Sequence, residues 1–359
     1  MKKWLWITAA ALLFVMAGCG GGGSEETVEG ESGGDSGGGK PESVTVYTAI
    51  ESDYLQDYLN TFKEEHPDIE LDVVRDSSGI IVSRLLAEKD NPKADVIWGL
   101  SVDSLLLFEE EGMLTGYNPE GYEKLQERFA DQKNDPMKWT GIAAYMTTFS
   151  VNTAEMERLG LPIPKSYEDL LDPQYKGLIS MPNPASSGTG FLTVSGLLQL
   201  HDTEEEGWEY LDKLHENIGS YTHSGSKPAV QAGNGEYPIG ISFDGRSVAQ
   251  EESGAPLVTV FPEEGSGWTL EANALLEKEN IKDSAKTFLD WANSESAMQG
   301  YNDQFAITGI ELGNEPPDSY PDNPTEQLLE NDLYWAAENR IEIVDTWVEK
   351  YDGKSEPEE

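Results

Sequence analysis

The sequence predicts an α/β fold in which helices flank mostly parallel sheets. Short β-branched runs alternate with segments of helical periodicity along most of the chain. Each strand-like run ends in small residues that lead into the next amphipathic segment. Strands that alternate with helices in this way are typical of parallel sheets covered on both faces. The length of 359 residues, of which 38% are hydrophobic, is enough for roughly two domains.

Two sets of elements follow one another. Turn residues such as Asn, Ser and Gly separate the strands from helical patterns that begin near 52, 80, 102 and 191. Helical patterns dominate the last part of the chain to about residue 350, and the charged residues 351–359 are predicted to form a frayed tail. The predicted strands are 44–47, 69–74, 94–98, 143–151, 178–181, 239–243 and 257–261.

The first eighteen residues are typical of a bacterial secretory signal. Two lysines precede an apolar run, and small residues come before Cys19. The segment resembles a lipobox, although Met16 stands where leucine is commoner. A buried cysteine on a membrane helix is the alternative, but the apolar run is shorter than the roughly 20 residues that a span needs. We therefore expect cleavage after Gly18 and lipidation of Cys19.

A tether is predicted between this cysteine and the folded body. Residues 19–42 are rich in Gly, Ser and Glu and contain almost no apolar side chain, so they cannot bury a core. The chain is then expected at the extracytoplasmic face of the cell membrane, attached through its lipid anchor alone. No other cysteine exists for a disulfide bond.

The charge balance excludes some partners. There are 24 Lys and Arg against 67 Asp and Glu, which gives a formal net charge of −43. Such a field repels nucleic acid and anionic lipid. The excess of acid is typical of solvation in a saline or alkaline habitat, and any anion site must rely on local donors.

Small hydroxyl and glycine residues gather where strands lead into helices. Ligands of open α/β sheets bind outside the carboxyl ends of the strands, and helix N-termini there attract anions. Each Ser or Thr could instead cap its own helix, but the five consecutive small residues 186–190 exceed what one cap requires. The candidate anion-binding residues are Thr48, Ala49, Ser77, Ser78, Gly79, Ser101, Ser186, Ser187, Gly188, Thr189, Gly190, Ser224 and Ser226.

These residues carry a family resemblance. The chain resembles the solute-binding lipoproteins of ABC importers with the type-2 periplasmic-binding-protein fold. Within that group it is similar to the 2-aminoethylphosphonate-binding proteins, near the ferric-ion-binding branch. The stretches that match are 44–49, 74–80, 94–100, 181–191, 221–228 and 238–243.

The resemblance implies two lobes that close about a two-strand hinge. Each lobe would be a mixed, mostly parallel sheet flanked by helices. Lobe 1 would comprise 43–146 plus 259–350, and lobe 2 would comprise 147–258. The crossings are expected near 144–149 and 259–264, with the helical end packed on lobe 1.

The resemblance also implies capture of a small anionic solute without chemistry or cofactor. The solute would be 2-aminoethylphosphonate or a related phosphonate, delivered by a monomer to a permease and its ATPase. Arg246 could grip the phosphonate or form an ordinary ion pair. Asp244 or, second, Glu271 would meet the ammonium group.

This sequence departs at two points from the ligand-binding residues of its relatives, and both bear on the identity of the ligand. Ferric-ion relatives commonly use adjacent tyrosines, and this chain has no Tyr-Tyr pair, which weakens iron or an iron chelate as the alternative. The aminoethylphosphonate relatives tend to carry Glu and an aromatic residue where this chain has Asp244 and Gly245.

Other classes of function find less support. No His-Glu-x-x-His pair occurs, and the Gly-x-Ser-x-Gly pattern is absent from the sequence after the tether, so a hydrolase of phosphonate or phosphate esters lacks a motif. A ligand-binding subunit that serves a sensor rather than a permease remains an alternative.

Overall fold

The computed structural model describes residues 43–357. The predicted signal 1–18, the tether 19–42 and the lipidation of Cys19 lie outside the described residues. Within 43–357, no helix has both the length and the apolar character that crossing a membrane requires.

Strands and helices alternate along most of the described chain, as predicted, but residues 268–276, where helical patterns were expected to dominate, form a central strand. The strands are β1 Ser43–Thr48, β2 Glu70–Arg75, β3 Val96–Ser101, β4 Leu114–Thr115, β5 Thr140–Asn152, β6 Ile179–Pro182, β7 Ile218–Thr222, β8 Ile239–Phe243, β9 Leu257–Val260, β10 Trp268–Leu276 and β11 Ile307–Thr308. The α-helices are α1 Ser52–Glu65, α2 Ser78–Ala87, α3 Val102–Glu110, α4 Thr153–Leu159, α5 Gly188–Leu200, α6 Glu204–Asn217, α7 Lys227–Gly233, α8 Asp244–Glu252, α9 Asp283–Ala292, α10 Glu295–Tyr301, α11 Leu333–Glu338 and α12 Arg340–Tyr351.

One strand joins two sheet halves. The strand order is β2-β1-β3-β10-β5-β8-β6-β7, with β4, β9 and β11 paired at the sides. The pairs β1–β2, β1–β3, β6–β7 and β6–β8 are parallel, whereas β10 and β5 pair antiparallel with their neighbours. The fold is therefore the mixed, two-lobed α/β architecture that the sequence predicts.

Strand β5 changes partners near its middle. Its residue Met146 pairs with Trp268 of β10, and the next residue, Thr147, pairs with Phe243 of β8. The change falls inside the expected crossing at 144–149. Strand β9 pairs with residues 149–152 of β5, in the second sheet half. The chain then returns to the first sheet half, where β10 pairs with residues 140–146 of β5.

Each half is built around its own apolar core. The all-buried β3 is typical of a central strand covered on both faces. On α1, Tyr58 and Phe62 lie four residues apart on the buried face. In the second half, Phe149, Val194 and Ile241 share one cluster.

The end of the chain packs differently from the sequence expectation. Ile343, Trp347 and Tyr351 of α12 lie in the core of the second sheet half, not on the first. The Trp347 ring meets Tyr221 of β7 edge-on, with centroids 4.7 Å apart. The expected frayed tail is also ordered as far as the described residues reach, because residues 352–356 bond to β7 and the loops beside it. Hydrogen bonds to the second sheet half therefore hold this charged segment in place.

Candidate functional site

A cleft lies where the N-termini of α2 and α5 and the loop before α7 approach one another. Both sheet halves contribute to it. The predicted residues that line this cleft are Ala49, Ser77, Ser78, Ser187, Gly188, Thr189 and Glu271. The residues that sequence reasoning missed are Ile50, Glu51, Arg75, Tyr145, Gly225, Phe243, Gln304 and Phe305.

Hydroxyl groups and helix N-termini supply the donors of the cleft. Ser187 caps α5, accepting a hydrogen bond from the Gly190 backbone N–H at 3.2 Å. Ser77 occupies the capping position of α2, but its side chain makes no capping hydrogen bond there. The first backbone N–H groups of α2 and α5 have no intrahelical acceptor and carry partial positive charge. The cleft can therefore surround an anion from two sides.

Two glycines allow the hydroxyls to converge. A methyl group on Gly188 would lie 2.8 Å from Ser78 Oγ and 3.2 Å from the Tyr145 hydroxyl. One on Gly225 would lie 2.3 Å from Thr189 Oγ1 and 2.9 Å from Ser187 Oγ. The absence of a side chain at both positions brings these oxygens within reach of one small ligand.

Three charged residues line the cleft. Arg75, the last residue of β2, donates from Nε to the Ile50 carbonyl at 3.1 Å and forms an ion pair with Glu51 at 3.4 Å. Burial raises the pKa of Glu51, although Arg75 and Arg246 act in the opposite direction. Burial, helped by the charges of Glu51 and Asp103, raises the pKa of Glu271 to about 8. The Oε2 atom of Glu271 is buried and has no hydrogen-bond partner among the described residues.

The free energy of unfolding should therefore depend on pH through Glu271. Between its ordinary pKa of 4.5 and about 8, the unfolded chain has released this proton and the folded chain keeps it. Stability is then full at low pH and falls as pH rises through this window, by at most about 1.4 kcal/mol per pH unit. We expect Glu271→Gln to remove this slope, so that the free energy of unfolding of the variant rises relative to that of the wild type between pH 5 and pH 8.

Urea denaturation at each pH measures this difference. The exposed Glu279→Gln provides the control and should follow the wild type. Parallel curves for wild type and Glu271→Gln would contradict the prediction.

Several predicted residues are placed in a shell around the cleft instead of on its surface. Gly79 donates its backbone N–H to the Ser186 carbonyl at 3.0 Å. Ser224 and Ser226 share a hydrogen bond between their hydroxyls at 2.9 Å, and Ser226 also reaches Glu51 at 3.4 Å. These residues hold the loops that carry Gly225 and Ser187. Gly190 belongs to the same shell, since its N–H is used in the cap of α5.

Two other predicted hydroxyl groups form local hydrogen bonds within the first sheet half. The buried Thr48 accepts a hydrogen bond from the Ile50 N–H at 3.1 Å, within its own turn. Ser101 is buried and bonds to Ser104 at 2.8 Å and to Asp103 at 3.3 Å. For these two residues, stabilising the local turn is the role that their contacts indicate.

Asp244 and Arg246 are also placed away from the cleft surface. Asp244 is fully buried and accepts hydrogen bonds from the Met146 N–H at 3.0 Å and the Tyr320 hydroxyl at 3.1 Å. Burial raises the pKa of Asp244 to about 7. Arg246 of α8 binds Asp53 of α1 at 2.7 Å. It thus forms an ion pair, but the pair joins the two halves of the molecule, whereas the alternative from the sequence was an ion pair within one lobe.

These cross-cleft contacts hold the two sides together. Besides the pair of Arg246 with Asp53, the Gly79–Ser186 bond and the Ser226–Glu51 bond connect elements from different sheet halves. A methyl group on Gly245 would lie 2.4 Å from the Gln304 carbonyl oxygen, so the backbone at Gly245 packs closely against the backbone at Gln304. The structure therefore has a closed cleft.

Comparison with known proteins assigns this architecture to a family. The sequence profile described as "Bacterial extracellular solute-binding protein" matches residues 91–324. A solved structure of the periplasmic binding protein AfuA from Actinobacillus pleuropneumoniae, with exogenous fructose-6-phosphate bound, superposes with a TM-score of 0.80. It is 30% identical, over 87% of this chain and 99% of that one.

Curated relatives agree with this assignment. A protein of Haemophilus influenzae is 30% identical over 86% of this chain and 90% of its own length. A probable ABC transporter periplasmic-binding protein of Sinorhizobium fredii is 24% identical over 66% of each chain. A putative 2-aminoethylphosphonate-binding periplasmic protein of Salmonella paratyphi A is 22% identical, over 55% of this chain and 59% of its own. The relatives whose names give a function are described as periplasmic binding proteins, and the one from Sinorhizobium fredii as the probable binding protein of an ABC transporter.

Proposed function

We propose that this chain, which belongs to the family of bacterial extracellular solute-binding proteins, captures a small solute with a phosphate or phosphonate group for an ABC importer. The arrangement of Ser78, Ser187 and Thr189 around Gly188 and Gly225 is the observation that carries this proposal. Hydrogen bonds from hydroxyls and helix N-termini to an ionised group contribute about 1.5–3 kcal/mol each. Arg75 adds the positive charge that a dianion needs.

The other end of the solute meets carboxyl groups. Glu51 and Glu271 line the cleft, and the buried Oε2 of Glu271 has no partner among the described residues. A ligand cation beside Glu271 would favour its ionised form, which accepts a hydrogen bond from that cation. The ammonium of 2-aminoethylphosphonate provides such a donor beside two carboxyl groups, and we propose this compound as the first candidate.

A sugar phosphate is the second candidate. The AfuA structure contains fructose-6-phosphate and is 30% identical to this chain. Sugar hydroxyls could donate to Glu51 and Glu271 while the phosphate occupies the same group of hydroxyls. Both candidates share the phosphoryl end and differ in the donor offered to the carboxyl groups.

Thermal denaturation with matched compounds tests this proposal. We expect 2-aminoethylphosphonate or fructose 6-phosphate to raise the Tm, by the equivalent of about 2.7 kcal/mol at 100 times the Kd. Fructose without phosphate should give no shift. 2-Hydroxyethylphosphonate, which lacks the amine, should bind more weakly than 2-aminoethylphosphonate if the ammonium pairs with the carboxyl groups. No shift with any phosphate or phosphonate would contradict the proposal.

Iron receives less support from these residues. A ferric ion prefers several anionic oxygen donors. Across residues 43–357, no group of three or more His, Cys, Asp or Glu side chains is positioned to hold a metal ion. The donors of the cleft are mainly hydroxyl and N–H groups, which bind anions.

The proposal includes two further parts. We propose that the sheet halves are lobes that open to admit the solute and close through the contacts of Gly79, Ser226 and Arg246. The lipidated Cys19 would hold the protein at the extracytoplasmic face of the membrane, beside its permease.

A further inference from the structure

The end of the described chain forms a segment that we call the C-terminal strap, residues 352–356. It follows α12 and runs beside β7. Ser355 forms a parallel bridge with Tyr221, and the Glu356 N–H donates to the Tyr221 carbonyl at 2.9 Å. Lys354 donates to the carbonyl oxygens of His215 and Ile218. Backbone and side-chain bonds thus fix the strap against the second sheet half.

Glu356 binds the loop that carries Gly225. Its Oε1 accepts the His223 backbone N–H at 2.8 Å, and its Oε2 pairs with Lys227, the first residue of α7. The two oxygens of one carboxylate therefore hold both ends of the segment 223–227. Gly225, between these ends, lines the cleft.

The strap also reaches the loop before α5. Ser355 Oγ accepts a hydrogen bond from the Asn183 side-chain amide at 3.0 Å. Asn183 in turn accepts the Ala185 N–H on its side chain at 2.8 Å and the Ser187 N–H on its carbonyl at 2.9 Å. Asn183 is thus the link between the strap and the capping serine of α5.

His223 connects the two loops. Its Nε2 lies 3.0 Å from the Glu356 carbonyl oxygen, so this nitrogen carries a proton. In the neutral ring, Nδ1 then accepts from Ser186 Oγ at 3.2 Å. Ser186 is the residue whose carbonyl receives the cross-cleft bond from Gly79. A chain of hydrogen bonds runs from the strap to the closing contact.

We propose that the C-terminal strap positions both anion-binding loops and that Glu356 is a positioning residue, which acts through His223 and Lys227 without touching the ligand. This inference rests on the proposed function. The two loops also meet directly, through the Asn183 N–H, which donates to the Thr222 carbonyl at 2.8 Å, and through the His223–Ser186 bond. The strap adds bonds of its own to both loops. It gives a function to a segment whose composition resembles a disordered tail.

Affinity measurements on the full chain test this role. With 2-aminoethylphosphonate and fructose 6-phosphate as probes, Glu356→Ala should weaken binding about tenfold, the effect of one lost hydrogen bond to a charged group. Glu356→Gln keeps an acceptor for the His223 N–H and should recover most of the loss. Lys350→Ala is the matched control. Lys350 of α12 pairs with the surface residue Asp212 of α6 and lies near the rings of Trp208 and Tyr351, so its loss should leave affinity unchanged.

A second readout does not depend on the ligand. In amide NMR spectra of the ligand-free full chain, Glu356→Ala should shift the signals of Gly188, Thr189 and Gly225, whereas Lys350→Ala should not. If the wild type binds neither probe, the proposed function fails, and these shifts alone decide the positioning role. If the wild type binds and Glu356→Ala retains its affinity, the inference is overturned whatever the spectra show.

Discussion

Replacing Ser187 with aspartate should abolish capture of a phosphate or phosphonate, with a loss of affinity of about 1000-fold. Ser187 is 2% exposed, caps α5 and lines the cleft. Two unit charges of the same sign at about 4 Å repel by about 4 kcal/mol at an effective dielectric constant of 20, and about 4.1 kcal/mol corresponds to that loss. Because aspartate caps a helix as well as serine does, the fold should persist.

Ser187→Asn separates charge from size in this experiment. Asparagine has nearly the shape of aspartate and is also a good cap, but it carries no charge. We expect calorimetric titration to give an affinity for Ser187→Asn at least about 100 times that of Ser187→Asp, since the remaining difference is the charge repulsion. If the two variants bind alike, the anion does not lie at the N-terminus of α5.

The turns that line the cleft could be predicted because their composition departs from that of an ordinary cap. The run 186–190 contains more small residues than one capping position needs, and the structure places Ser187, Gly188 and Thr189 on the cleft. Strand periodicity was equally informative, as β8 begins at Ile239 and ends at Phe243, where the alternation ends in the sequence. For these two segments, the local sequence was enough to predict the local structure.

The charged residues of the cleft could not be found in this way. Glu51 at the cap of α1 and Arg75 at the end of β2 look like ordinary surface charges in so acidic a chain. The position of Arg75 could have identified it, because it lies at the carboxyl end of a parallel strand, where ligands of α/β sheets bind. Asp244 was wrongly expected to meet the ligand, because the residue that binds it in the interior, Tyr320, lies 76 residues later in the chain and cannot be recognised from the local sequence.

The C-terminal segment shows the limit of composition as a guide. Residues 351–359 are charged and polar, which favours fraying. Lys354 and Glu356 nevertheless find backbone partners on β7 and the loop after it. Long-range pairing of this kind depends on where α12 packs, and Trp347 and Tyr351 do not reveal from their spacing which half they will cover.

Gly79→Ala should prevent closure of the cleft and lower affinity about 100-fold. In the closed cleft the added methyl group would lie 2.2 Å from the Ala185 carbonyl oxygen and 2.7 Å from Ser186 Cα. These are backbone atoms, so a rotamer change cannot relieve the clash, and the Gly79–Ser186 hydrogen bond would be broken as well. Overpacking costs typically 1–3 kcal/mol, and its upper end of about 3 kcal/mol corresponds to this loss.

The same substitution should leave the open protein intact. Gly79 lies in the first turn of α2, and alanine is a better helix former than glycine by about 1 kcal/mol. The ligand-free Tm should therefore not fall, which separates a block to closure from a folding defect. Ser83→Ala is the control, because Ser83 is an exposed residue of the same helix and does not line the cleft.

Small-angle scattering with and without ligand then distinguishes the two states. Wild type and Ser83→Ala should contract when 2-aminoethylphosphonate or fructose 6-phosphate binds, whereas Gly79→Ala should keep its ligand-free radius of gyration. A Gly79→Ala variant that binds tightly and contracts would mean that the Gly79–Ser186 contact is not part of the ligand-bound state. Closure would then have to depend on the pair of Arg246 with Asp53 on the other side of the cleft.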